Sequence, residues 1–189
     1  MQTIILGSQS EGRRKVLERH GIQFKIQKAG IDEKAIRSDD PVELTEKIAL
    51  AKAEALLPVV EETALLITAD TVVFCNGRIL EKPEDEREAF SFFALYESCT
   101  PELISAAVVV NTETGKRKIA VDRAAVLFAP IPRDTVAEYI GTGDAFLRAG
   151  GFAIQHPLIE PYVKEIKGDS DTVYGLPFAF VEKAIRELS

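Results

Sequence analysis

Along this chain the apolar positions change period several times, and each change predicts a new element. Thr3 to Leu6 is a short apolar run, sized for a buried strand. It leads into "GSQSEGRRKVLERHG", where Ser10 stands as a helix N-cap and Gly21 as the stop. Ile22, Phe24 and Ile26 alternate with polar residues, the period of a half-buried strand. In "DDPVELTEKIALAKAEALL" Asp40 is the cap, Pro41 takes the first helical position, and apolar residues recur at 44, 48, 51 and 55. Strands are predicted at 65–69 and 71–75, closed by a tight turn at Asn76-Gly77. A helix over 84–97 buries Ala89, Phe90 and Phe93. Runs at 103–110 and 117–128 flank the turn-rich "NTETGK" as a hairpin, and helices follow at 132–141 and 178–188. Strands and helices interleave with hairpins among them, so the fold class is α/β with a mixed, twisted sheet flanked by helices.

One position breaks this pattern. In "LLITADTVVFCNGRILEKP" a carboxylate, Asp70, sits with Thr71 between two apolar strand runs. A buried, unpaired charge costs several kcal/mol or more, roughly, so Asp70 needs a cation, strong hydrogen bonds or water. The ordinary alternative is that it ends one strand and caps the next element.

Composition narrows the function classes. The 189 residues allow one domain or two small lobes, with 46% hydrophobic and 28% charged residues, ordinary for a soluble protein. A formal charge of −7 argues against a nucleic-acid polymer as partner, because such surfaces need many Lys and Arg. It leaves room for a small anion held by a few local cations. The apolar runs are too short to span a membrane, and the start "MQTIILGSQS" has no basic region or cleavage-like site. Cys75 and Cys99 have neither metal-ligand spacing nor the numbers of a disulfide framework, which fits a reducing, cytoplasmic setting.

Several residues could carry chemistry. A strand running into "GSQS" and a helix whose first turn holds Arg13 and Arg14 is an anion-binding arrangement, with unpartnered N–H groups and a favourable dipole. Ser8 and Ser10 add short donors and Arg13 a planar fork. It is not a Walker loop. Lys52 follows Ile48 by four residues, beside the apolar stripe, placed either to snorkel or to reach inward. Lys82 precedes Pro83 in an extended loop, Glu33 in "GIDEK" ends an early strand, and Gln155 lies beyond the glycine-rich bend of "GGFAIQHP". Gln155 either reads a base edge or caps a strand.

As an ordered set these segments resemble one family. "GSQSEGRRKVL", "GIDE", "KIALAKA", "ADTVV", "ILEKP", "RAGGFAIQ" and "VYGLP" follow the order and near spacing of the Maf family of nucleoside triphosphate pyrophosphatases, from Leu6 to Pro177. The resemblance implies a single Maf-like domain over 1–189, with the fold of inosine triphosphate pyrophosphatases, two lobes around a cleft, in a cytoplasmic homodimer. It implies hydrolysis of a nucleoside triphosphate to the monophosphate and pyrophosphate with a divalent cation, Mg²⁺ or Mn²⁺. Residue by residue, Asp70 matches the general base. Arg13, Lys52 and Lys82 match phosphate-side cations, and Glu33 and Gln155 other residues of the cleft, with Asp70 and Glu33 as metal ligands. Thr71 and Gln155 resemble the branch preferring dTTP and UTP; the 7-methyl-GTP branch has Gln and Glu there. A regulator of cell division that binds nucleotide without turnover is the alternative the family also offers.

The chain departs from the family pattern at several positions. Glu11 stands for the usual Pro, Glu81 for a Gly before "KP", Thr172 for an Asn, and "LYESCTPEL" for a Leu-Ser-Gly turn with its His. Gly12 replaces an Arg or Trp tied to base choice, and is expected either to open space beside the base or to loosen the loop.

Overall fold

The structure is a computed structural model that describes residues 2–189. Its strands are β1 (Thr3–Leu6), β2 (Lys25–Ile26), β3 (Ala64–Cys75), β4 (Arg78–Leu80), β5 (Glu102–Asn111), β6 (Arg117–Phe128) and β7 (Val163–Lys167). Its helices are α1 (Glu11–Arg19), α2 (Pro41–Leu56), α3 (Glu86–Tyr96), α4 (Arg133–Gly141), α5 (Ser170–Val173) and α6 (Phe178–Leu188). The strands form one mixed sheet in the order β2-β1-β3-β5-β6-β7, with β4 paired to β3. β1 runs parallel to β2 and β3, β4 antiparallel to β3, and β7 antiparallel to β6. The expected mixed sheet flanked by helices is therefore present.

The chain divides into two compact units, each discontinuous in sequence. The first comprises the residues up to Thr71 together with Ser105–Asp122 and Asp171–Ser189. Its core follows from the two-residue period of strands. Leu65, Ile67 and Ala69 of β3 and Ala107 and Val109 of β5 pack with Val16 and Leu17 of α1 and with Val181 and Ala184 of α6. The intervening residues, Ala64, Leu66, Ala106, Val108 and Val110, pack with Ala49, Ala53 and Leu56 of α2. Each face of the sheet thus carries its own helix layer.

The second unit comprises Val72–Ile104 and Arg123–Ser170. Aromatic rings fill it. Tyr96 meets Phe152 edge-on at 5.5 Å between centroids, and Phe128 meets Phe152 at 5.1 Å. Such edge-to-face contacts add to the burial of large rings. The Tyr96 hydroxyl donates to the Gly150 carbonyl at 2.6 Å, tying α3 to the bend that precedes Gln155.

Four local expectations are corrected. The two strands predicted around Asp70 are one continuous 12-residue strand, because a paired carboxylate does not interrupt the ladder. In α2 the buried stripe runs Leu44, Ile48, Lys52 and Leu56 rather than through 51 and 55, so Lys52 lies on the core face itself. β2 is only two exposed residues long, while Ile22 and Phe24 before it pack on the core. The sulfurs of Cys75 and Cys99 lie in bonding contact, with Cα atoms 6.1 Å apart, although their spacing offered no reason to pair them. Cys75 ends β3 and Cys99 follows α3, a proximity created by the fold.

Candidate active site

Adjacent residues on a strand face opposite sides, and β3 uses this at Asp70 and Thr71. As far as Asp70, the even-numbered residues of β3 face α2. There the Thr68 hydroxyl donates to the Ala49 carbonyl at 2.7 Å, and Asp70 Oδ1 accepts from Lys52 Nζ at 2.8 Å. The odd-numbered residues as far as Thr71 face α1, and the Thr71 hydroxyl lies 3.4 Å from Arg13 Nη2. One step along the backbone therefore serves two helices.

Asp70, Lys52 and Arg13 are 7%, 6% and 8% exposed, three charged side chains inside a hydrophobic unit. Lys52 satisfies its three N–H groups with Asp70, with Glu33 Oε1 at 3.1 Å and with the Ala69 carbonyl at 3.4 Å. A phosphate-side role for Lys52 would therefore require one of these to be exchanged. Burial pushes the Asp70 carboxyl above its ordinary range. Lys52 and Arg13 pull it down and the nearby Glu33 pushes it up, but desolvation outweighs them. Burial likewise lowers the Arg13 guanidinium, against the pull of Asp70 and Glu33.

Arg13 is aimed from several directions. Its Nε donates to the Gly175 carbonyl at 3.0 Å and its Nη1 to Ser8 Oγ at 3.0 Å. With Thr71, these contacts engage three of the five guanidinium N–H groups. The Ser10 side chain makes no cap hydrogen bond, so the first N–H groups of α1 also keep their donor capacity. Thr71 hydrogen-bonds Ser105 Oγ at 2.9 Å as well, so its hydroxyl belongs to the network that holds Arg13.

Gly175 and Gly12 show how tightly this region is built. Gly175 has φ +89°, and a Cβ there would lie 3.0 Å from the Thr71 hydroxyl and 3.5 Å from Arg13 Nε. Only glycine suits both demands. Gly12 opens no space, because a Cβ there would stand 2.5 Å from the Tyr174 carbonyl oxygen. The missing side chain lets the backbone approach.

Lys82 and Gln155 belong to the second unit. Lys82 is exposed between β4 and α3, and Gln155 is half-buried. Their segments meet there: the Gly150 N–H donates to the Glu81 carbonyl at 2.9 Å, and Gly151 packs near Pro83. The "ILEKP" and "RAGGFAIQ" motifs thus form one local structure.

Among the described residues, no three His, Cys, Asp or Glu side chains are grouped to hold a metal ion. Two carboxylates, Asp70 and Glu33, nevertheless converge on a single cationic atom, Lys52 Nζ. That donor set suits a Mg²⁺-like ion completed by water and substrate phosphates. No helix among the described residues is long and apolar enough to cross a membrane.

The sequence reading missed Ser105 and Asp171, and named Thr172 only as a departure from the family pattern. Ser105 is fully buried on β5, where it donates to the Thr172 carbonyl at 3.0 Å. A serine in "ELISAAVVV" at the centre of an apolar strand was the one signal available.

The sequence around these residues matches a known family over nearly its whole length. The model for "Maf-like protein" matches residues 3–188. This chain belongs to the Maf-like family. It is 36% identical over 193 residues to "7-methyl-GTP pyrophosphatase" of Dictyostelium discoideum, covering 98% of this chain and 97% of that one. It is 35% identical to a "Nucleoside triphosphate pyrophosphatase" of Synechococcus sp. (strain JA-3-3Ab), with 98% and 93% covered. It is 33% identical to a "dTTP/UTP pyrophosphatase" of Pelotomaculum thermopropionicum, with 95% and 93% covered. Among solved structures, a dITP/XTP pyrophosphatase from Mycobacterium abscessus matches with a TM-score of 0.42 and 14% identity, over 69% of this chain and 74% of that one. A likeness that weak adds nothing on the fold or the site.

Proposed function

We propose that this Maf-like protein hydrolyses a nucleoside triphosphate between the α and β phosphates, releasing the monophosphate and pyrophosphate. The observation that carries the reading is the buried Asp70 carboxylate, held by Lys52 on a strand whose next residue contacts Arg13. Relatives over nearly the full chain bear the matching activity in their names. Asp70 acts as general base toward a water at the α-phosphorus. Its raised pKa makes it a better base than an ordinary Asp. The two remaining Arg13 N–H groups and the N-terminus of α1 bind phosphate oxygens and neutralise their charge. Lys82 is assigned as a further leaving-group cation on its motif. Asp70 and Glu33 would hold a divalent cation, which when bound acidifies water and neutralises phosphate charge.

We further propose that pyrimidine triphosphates such as UTP and dTTP, or modified relatives, are preferred. Thr71 and Gln155 support this, and Gln155 can both donate and accept, as a pyrimidine edge requires. Whole-chain similarity leans to neither base, since relatives named for 7-methyl-GTP and for dTTP/UTP stand at 36% and 33% identity. Product analysis with Mg²⁺ or Mn²⁺ over a panel of ordinary and modified triphosphates tests both parts. Pyrophosphate and monophosphate are expected, whereas orthophosphate alone, or binding without turnover, overturns the reaction. A wide preference for 7-methyl-GTP overturns the base assignment.

A further inference from the structure

The segment 171–177 touches α1 at both of its ends. Near the start of α1, the Gly175 carbonyl accepts from Arg13 Nε and the Tyr174 carbonyl abuts Gly12. Near its end stands Asp171, a carboxylate only 6% exposed. Asp171 pairs with Arg19, and its Oδ2 lies 2.6 Å from His20 Nε2. The partners are themselves fixed. The His20 ring stacks on Phe178 at 3.6 Å, and the Arg19 guanidinium lies 5.2 Å from the centroid of Tyr174. Between these anchors the Thr172 hydroxyl donates to Asp122 Oδ2 at 2.6 Å, and the Thr172 carbonyl accepts from Ser105, which holds Thr71. The Asp171 carbonyl also accepts from the Leu176 N–H at 3.1 Å, closing the turn that presents Gly175.

A buried carboxylate paired with Arg19 and hydrogen-bonded to His20 needs a reason beyond packing, since an apolar residue there would cost less desolvation. We infer that Asp171 is a positioning residue: by clamping the end of α1 to the 171–177 turn, it fixes where the Gly175 carbonyl points and so aims Arg13 at the substrate. The inference rests on the proposed phosphate role of Arg13. Asp171 touches no reacting atom. Its removal should loosen the aim of a guanidinium whose remaining contacts, Ser8 and Thr71, are each a single hydrogen bond.

A double-mutant cycle tests this on the full chain, with kcat and KM measured for UTP or whichever triphosphate the panel selects. Asp171→Asn keeps the shape and removes the charge, and we expect KM to rise roughly fivefold with kcat within about twofold. Asp171→Glu should recover most of that loss. Arg13→Ala should raise KM far more, and adding Asp171→Asn to it should change KM by less than about twofold, because the two act through one group. If the two losses multiply instead, Asp171 supports the fold generally and the inference fails while the Arg13 reading stands. If Arg13→Ala leaves KM unchanged, the phosphate role of Arg13 fails and takes the inference with it. Should Asp171→Asn lower the melting temperature sharply, His20→Gln, which removes one exposed partner of the same carboxylate, must give the smaller KM rise with the same non-additivity; an additive result overturns the inference.

Discussion

The two units carry their motif residues in opposite ways. In the first, Arg13, Lys52 and Asp70 are buried and cross-braced, so their charges are costly and their geometry is fixed. In the second, Lys82 is exposed and Gln155 half-buried, on segments joined by the hydrogen bond from the Gly150 N–H to the Glu81 carbonyl. The difference teaches where precision is needed. A base and the groups that set its pKa lose function with small displacements, and burial on strands and helices holds them. A cation that neutralises a leaving group can reach from a loop, because charge acts over distance. Removing a buried partner such as Lys52 should therefore cost stability as well as activity, and substitutions at Lys82 and Gln155 should alter kinetics alone.

The largest effect should come at Asp70. Asp70→Asn is near-isosteric and should cut kcat by roughly a thousandfold, within the range of general-base catalysis, while circular dichroism and the melting temperature show a folded protein. Activity close to the parent would remove Asp70 from the chemistry. Lys52→Met comes next and should do two things. It leaves a buried carboxylate without its main cation, costing about 3 kcal/mol of stability by urea titration. It also removes the positive charge that favours ionised Asp70, so the carboxyl rises further and the acid limb of the rate profile moves to higher pH. The substrate's own phosphate titration is common to both enzymes, so the displacement belongs to the protein. An unmoved limb would separate Lys52 from the base.

Much of the first unit was legible because its chemistry sits at cap positions and in period breaks. Asp40 does cap α2, accepting from the Val42 N–H at 2.8 Å, and Gly21 does follow the end of α1 at φ +70°. Asp70 was conspicuous as a charge in an apolar run. What could not be read was pairing at a distance: the Thr71–Ser105 bond spans 34 positions and the Arg13–Gly175 bond 162. The α2 stripe was misplaced because the alanines at 49, 51, 53 and 55 carry almost no directional signal, and only packing decides which of them face inward. Of the two readings of Gly12, open space is excluded for a related reason. A glycine in sequence looks like space, whereas here the Tyr174 backbone occupies it.

The comparison can be sharpened with Gly12, where the family pattern and the packing now disagree. Gly12→Ala should lose about 1–3 kcal/mol by overpacking against Tyr174, and Gly12→Arg at least as much, before any effect on base choice. A stable Arg variant with narrowed selectivity would mean that the α1 start has more room than its contacts suggest. In the second unit, Lys82→Ala should raise KM and lower kcat by several-fold each, roughly tenfold in kcat/KM, with no change in melting temperature. A fall in stability there would erase the contrast between the units. The smallest effect is expected at Gln155→Ala, a few-fold loss of pyrimidine over purine discrimination at nearly constant kcat, checked by paired UTP and GTP rates.

The strand that bears Asp70 and Thr71 also constrains how this protein can change over generations. Because neighbouring residues on β3 serve opposite faces, deleting or inserting one residue between Ala64 and Ala69 would swap the carboxylate and the hydroxyl. Placed next to Ala64, such an event would also turn Leu65 and Ile67 toward α2 and Leu66 toward α1, so the interior would be lost with the chemistry. A length change of two restores the faces but carries Asp70 about 6.6 Å along the strand, beyond the reach of Lys52. Point substitution is then the route open to lineages that diversify this site, and length variation is confined to segments outside β3. Libraries built on this scaffold should hold the length of β3 constant and place insertions in turns such as Thr112–Gly115, where the chain reverses between β5 and β6.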